Sequence, residues 1–115
     1  MESNKEKENN EMFLEFSRNL VESVKAGTPI SRSILNLRYK DYGTLSSYIV
    51  KLANQISLGI PVREAFSIFA RDVNSKVIKR AVVLISEAEK AGGDIGDILE
   101  SVAKSVNEIE KLKKE

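Results

Sequence analysis

Three glycines, Gly27, Gly59 and Gly92, stand 32 and 33 residues apart, and each follows a stretch with helical apolar spacing. Glycine takes the left-handed conformation that ends a helix at little cost, so each marks a helix stop. The flanking residues align as well: Ala26-Gly27-Thr28-Pro29-Ile30 matches Leu58-Gly59-Ile60-Pro61-Val62, and Ala91-Gly92-Gly93-Asp94-Ile95 follows with Asp in place of Pro. Leu20, Leu52 and Ile85 each lie seven residues before their glycine, and Ser33-Ile34, Ala65-Phe66 and Ile98-Leu99 correspond downstream. Gly-x-Pro alone is ordinary punctuation. Three occurrences with matching apolar positions indicate a structural repeat whose period suits a helical hairpin. The tetratricopeptide pattern is absent, so a compact bundle is expected rather than a solenoid.

The stretches between the stops supply six helices. Residues 1–10 are polar and without periodicity, which reads as a disordered lead-in or linker before a folded domain over 11–115. From Glu11, Phe13, Phe16, Leu20 and Val24 recur at helical steps. Thr28 and Pro29 are expected as N-cap and first residue of helix two, which carries Ile30, Ile34, Leu35 and Leu37. Thr44 is expected to cap helix three, with Leu45, Tyr48, Ile49, Leu52 and Ile56 inward. Pro61 opens helix four, with Val62, Ala65, Phe66 and Phe69 inward, and Asn74-Ser75 forms a break and cap. Helix five buries Ile78, Ala81, Val82, Ile85 and Ala88. Helix six, capped by Asp94, buries Ile95, Ile98, Leu99, Val102, Val106 and Ile109. No sustained alternation marks a strand. The expected fold is all-α: a compact bundle of about six helices built from three helical hairpins.

Composition removes most catalytic chemistries. The 115 residues contain no Cys, His or Trp. That excludes a disulfide frame, a thiol nucleophile, a Cys/His zinc site and a Ser-His-Asp triad. No phosphate-binding glycine loop is present, because Gly92-Gly93-Asp94-Ile95-Gly96 follows a helix rather than a strand. The carboxylates Glu87, Glu89, Asp94, Asp97 and Glu100 are the type that can hold Ca²⁺ or Mg²⁺. Their places suit the positive end of helix six and a solvated face instead. No enzyme activity, metal or cofactor is expected.

Lys and Arg number 18 against 17 Asp and Glu, a net charge of +1, which argues against a dedicated nucleic-acid binder. The charge is uneven, however. Arg63, Arg71, Lys76, Lys79 and Arg80 gather around helices four and five, with Asp72 the only acid between Arg71 and Arg80. No aromatic residues interleave them, so an acidic protein surface suits this patch better than a single strand of nucleic acid. Arg32, Arg38 and Lys40 make a second candidate patch. No apolar run approaches a membrane span: the longest is Ala81 to Ile85. Near the C-terminus, Glu108 with Lys111 and Glu110 with Lys114 form helical pairs, and helix six meets no stop signal before Glu115.

These residues together resemble the type II secretion system F domain. The resemblance is carried by Phe13-x-x-Phe16-x-x-x-Leu20 followed by Ala26-Gly27-Thr28-Pro29-Ile30, and, for its archaeal branch, by Asp41-Tyr42-Gly43-Thr44-Leu45-Ser46. Ser57-Leu58-Gly59-Ile60-Pro61-Val62-Arg63-Glu64-Ala65-Phe66, the run Ile85 to Ile95, and Leu99-Glu100-Ser101-Val102-Ala103 extend it over about residues 11–112. The archaeal motif more often has Pro where Thr44 stands. The resemblance implies a six-helix domain on the cytoplasmic face of a polytopic inner-membrane platform protein, with transmembrane helices following it. It implies partners too: a hexameric secretion ATPase, and the pilin-like subunits and membrane components of a type IV pilus, archaellum or type II secretion machine. Such platforms can form homodimers. On this expectation Arg63, Arg71, Lys76, Lys79 and Arg80 are the candidate ATPase-docking residues. The alternative is a free-standing soluble helical-repeat scaffold.

Overall fold

The computed structural model describes residues 4–91 and 95–113. They form α1 (Asn4–Lys25), α2 (Ile30–Leu37), a 3-10 turn (Gly43–Leu45), α3 (Ser46–Ser57), α4 (Val62–Val73), α5 (Lys76–Ala91) and α6 (Ile95–Lys113). No strand occurs among the described residues. Each helix packs on the next, and α1 also makes the most extensive helix contact of the fold with α6. That last contact closes the row on itself, so the hairpin repeat gives a bundle and not an open solenoid. The bundle measures 37 × 25 × 21 Å. At about 1.5 Å per residue, α1 spans about 33 Å and α6 about 28 Å, so these two helices set the long axis.

The repeat fixes which positions enter the core. Leu20, Leu52 and Ile85 are all buried, as are Ile34, Phe66 and Leu99 one hairpin turn later. Gly27 and Gly59 end their helices with the same hydrogen-bond pair. The Thr28 N–H donates to the Ser23 carbonyl (3.1 Å) and Gly27 to Val24 (3.0 Å); Ile60 donates to Gln55 (3.0 Å) and Gly59 to Ile56 (3.1 Å). This is the Schellman arrangement, and it needs the φ of +105° and +98° that the two glycines adopt. Gly92 and Asp94 lie outside the described residues, as do the side chains of Ala88, Ile95, Ile98, Val106 and Ile109 and the pairs expected of Lys111 and Lys114. All four phenylalanines and Tyr42 make one aromatic chain through the core. Phe66 meets Phe69 edge-on at 6.2 Å, Phe69 lies 6.1 Å from Phe13, Phe13 6.5 Å from Phe16, and Phe16 meets Tyr42 edge-on at 5.5 Å. Each such pair adds about 0.5–1.5 kcal/mol beyond its buried area.

Three local expectations need correction. The expected lead-in is helical from Asn4, and Asn9 and Asn10 within it are buried. Its polar residues are held by polar partners: Ser75 Oγ donates to Asn10 Oδ1 (2.6 Å), Thr44 Oγ1 to Asn9 Oδ1 (2.5 Å), and the Thr44 N–H to Glu8 Oε2 (2.7 Å). Thr44 therefore does not cap α3. It sits in the 3-10 turn with its hydroxyl turned to α1, and Ser46 Oγ accepts the Tyr42 N–H instead (2.8 Å). Nor does Thr28 cap α2. Pro29 and Pro61 themselves occupy the N-cap positions, with extended ψ of 149° and 142°, and their carbonyls accept the first helical bonds from Ser33 and Ala65. Ser75 does cap α5, accepting the Ile78 N–H at 3.3 Å.

Candidate docking surface

The α4–α5 corner is shaped by two residues. Asn74 takes the left-handed conformation (φ +57°) and donates its N–H to the Ala70 carbonyl, which ends α4. Ser75 then caps α5, so Lys76, Lys79 and Arg80 fall in its first turns, all exposed, beside exposed Arg71 in the last turn of α4. Asn74 is one of the few residue types that enter this conformation readily. Its side-chain oxygen also accepts a bond from Lys79 Nζ (2.8 Å), which steadies one cation of the group.

Two electrostatic facts sharpen the cluster. Asp72, the one acid in that stretch of sequence, is held by Lys51 at 2.7 Å. None of the ion pairs among the described residues involves Arg71, Lys76, Lys79 or Arg80. Further, the first turn of α5 contains no acid. Cations there oppose the helix dipole, each at a cost of about 0.3–1 kcal/mol. Stability alone would not place them so.

The structure adds Lys5, which sequence reasoning assigned to the lead-in. It lines an open groove of about 250 Å³ with Glu6, Asn9, Tyr48, Val73 and Asn74, and its ammonium lies 6.0 Å from the Tyr48 ring centre. Arg63 does not join the corner. It is exposed, but eight residues before Arg71 on the same helix, or about 12 Å along the axis. The second patch differs in exposure from residue to residue. Arg32 is exposed in the first turn of α2, whereas the half-buried Arg38 is committed to packing: its Nη1 donates to Asn54 Oδ1 (3.2 Å) and its guanidinium lies 4.7 Å from the Tyr39 ring centre. Lys40 is exposed beyond it, along a shallow groove between α1 and α2.

The carboxylates serve the bundle. Lys25, in the last turn of α1, pairs with Glu100 (2.8 Å) and Asp97 (3.5 Å) in the first turns of α6. This tie sets the end of α1 against the start of α6, as expected of two helices packed antiparallel. The bond to Glu100 raises the pKa of Lys25, and the bond to Lys25 lowers that of Glu100. Burial pushes up the hydroxyl of Tyr42, to which Asn19 Nδ2 donates at 3.1 Å. Among the described residues no group of three or more Asp or Glu is placed to hold a metal ion. No helix among them is long and apolar enough to cross a membrane.

Sequence reasoning also passed over Val83 and Leu84, which are 55% and 42% exposed on α5. A readable signal existed. The inward stripe Ile78-Ala81-Val82-Ile85 leaves position 83 on the opposite arc of a 3.6-residue helix and position 84 at the edge of the stripe.

The chain can now be set against known proteins. It is 33% identical over 100 residues to the uncharacterized protein MJ1286 of Methanocaldococcus jannaschii, a match covering 87% of this chain and 17% of that protein. No solved structure matches the chain. A family model described as type II secretion system (T2SS), protein F, matches residues 16–115. The match begins at Phe16 and takes in every helix after α1, so the chain belongs to the type II secretion system protein F family.

Proposed function

We propose that this domain is the cytoplasmic part of an inner-membrane platform protein and couples a hexameric secretion ATPase to assembly of a type IV pilus-like filament. The family's proteins reside in the inner membrane, and the domain has no spanning helix among its described residues. The rest of the platform would therefore supply the membrane segments. The match over residues 16–115 favours this reading over a free-standing scaffold. The docking surface for the ATPase is the α4–α5 corner: Arg71, Lys76, Lys79 and Arg80, with Arg63 as an outlying contact.

The observation that carries the docking assignment is the cost of the cluster. Lys76 and Lys79 stand in the first turn of α5, at its positive end and without an acid there, with Arg80 just beyond them, while the neighbouring Asp72 is engaged elsewhere. A surface kept at the expense of helix stability is expected to serve a partner, and an acidic face is the complement. The corner is also tied to the rest of the bundle. Ser75 links it to Asn10 of α1, and α1 is packed along α6, so force applied at the corner would reach the long axis. The test is binding of the purified domain to its ATPase at low and moderate salt. Charge reversal at Lys79 and Arg80 is expected to weaken binding at least tenfold at low salt, with a smaller effect as salt screens the charges. Unchanged binding at both salts would remove the corner from consideration and leave the family assignment intact.

A further inference from the structure

We infer that the outer ridge of α5 is a two-part docking strip, in which Lys76 and Arg80 take carboxylates and Val83 with Leu84 takes apolar side chains of the same acidic, amphipathic partner segment. This rests on the reading that the corner binds the ATPase, and it names the chemistry that the ATPase must present.

The argument starts from helix geometry. Lys76, Arg80 and Leu84 follow at four-residue steps, and Lys79 and Val83 do the same beside them. Residues so spaced stack along one face. Over about 12 Å of helix, two turns of cations therefore pass directly into an apolar pair. On the same helix Val77, Ile78, Ala81, Val82 and Ile85 are buried in the bundle. Val83 faces away from the core, and Leu84, seven residues after Val77, lies at the edge of the buried stripe with 42% of its surface exposed.

Only two other large apolar side chains are exposed among the described residues. Tyr39 is stacked on Arg38, and Leu58 stands alone at the end of α3. The α5 pair differs in being contiguous and flanked by cations.

Charge selects the occupant. Lys76, Lys79 and Arg80 outweigh the single exposed acid of the ridge, Glu87, so the ridge is net positive and its complement is acidic. A protein segment with carboxylates at one end and apolar residues at the other satisfies both halves. If that segment is a helix antiparallel to α5, its negative C-terminal end also meets the positive end of α5. The two halves would act differently: the cations set the rate of encounter and its salt dependence, and the apolar pair slows dissociation at any salt.

The experiment compares Val83→Ser/Leu84→Ser and Arg80→Glu domains for binding to the purified secretion ATPase of the same organism, at about 50 mM and about 300 mM salt. Melting curves confirm that the exposed substitutions leave the fold intact. The apolar double variant should lose about tenfold in affinity at both salts. Arg80→Glu should lose most at low salt. Sedimentation with phosphatidylglycerol vesicles is run in parallel. If Arg80→Glu weakens binding and the apolar variant matches wild type, the two-part strip is refuted and the corner still docks. If neither variant weakens binding, the docking assignment falls with it. Loss of vesicle binding alone in the apolar variant would reassign the pair to lipid and overturn the proposal.

Discussion

Replacing Asn10 by alanine tests whether the first turns of α1 belong to the fold. Asn10 is fully buried, and its Oδ1 accepts the Ser75 hydroxyl at 2.6 Å across 65 residues of sequence. Truncation leaves that hydroxyl, itself fully buried, without its acceptor. A buried polar group stripped of its partner costs about 1–3 kcal/mol, so a loss of about 2 kcal/mol is expected. With unfolding entropies near 2.1 cal/mol/K per residue, a domain of this length should melt about 8 °C lower. Thermal and urea melts of wild type, Asn10→Ala, Ser75→Ala and the double variant complete a cycle. Removing both groups removes the orphan, so the double variant should be more stable than the single losses add up to, by about 1–2 kcal/mol. Ser75→Ala also removes the cap of α5, a contribution that cancels in the cycle. A coupling below about 0.5 kcal/mol, the ordinary scatter of additive pairs, would mean that the contact does not hold α1 to the corner. Asn10→Ala melting with wild type would return residues 4–10 to the status of a lead-in.

The other expectations follow from single contacts. Gly59→Val should destabilise the domain by about 2 kcal/mol, measured by urea titration; no atom crowds a Cβ there, so the φ of +98° is the whole cause, and an unchanged midpoint would contradict the Schellman stop. The Lys25–Glu100 pair makes stability depend on pH at both extremes. The lowered pKa of Glu100 gives stabilisation that is full above the ordinary carboxylate range and lost as pH falls through the folded value. The raised pKa of Lys25 gives stabilisation that is full below the ordinary lysine value and lost as pH rises through the folded one. Glu100→Gln should flatten the acid limb of melting temperature against pH, and high salt should mimic it because both side chains are nearly half exposed. Lys76→Glu should raise stability by about 0.5 kcal/mol, by placing an acid at the positive end of α5, while weakening ATPase binding; a variant less stable than wild type would show that the cation is structural.

The elements of this fold were legible because their signals are local. A glycine stop, a proline start and an apolar step of three or four residues each act within one turn, and the three-fold recurrence put Leu20, Leu52 and Ile85 in the core together. The misreadings share the opposite property. Asn9 and Asn10 look solvated in a polar run, and only the return of Thr44 and Ser75, 35 and 65 residues later, gives them partners. Thr44 was expected to serve its own helix because a cap is the nearest use of a hydroxyl, yet a buried asparagine across the bundle claims it.

The candidate surface divides along the same line. Lys76, Lys79 and Arg80 could be grouped from spacing, since one helix carries them all. Whether Arg63 joins them depends on the length of α4, which separates it from Arg71 by about 12 Å. Whether Asp72 neutralises the group depends on Lys51, which lies on another helix and draws the carboxylate to 2.7 Å. Asp72 is the only acid in that stretch of sequence, and in the bundle it is engaged by Lys51. The positive surface is therefore a product of tertiary packing as much as of composition, and a chain with a net charge of +1 can still present it. Lys51→Ala makes the point testable. Freed from Lys51, Asp72 can turn toward Arg71 or Lys76, so ATPase affinity should fall at low salt although no docking residue has changed. An affinity equal to wild type at low salt would mean that Asp72 stays clear of the cluster without Lys51, and that the packing argument assigns this pair too much.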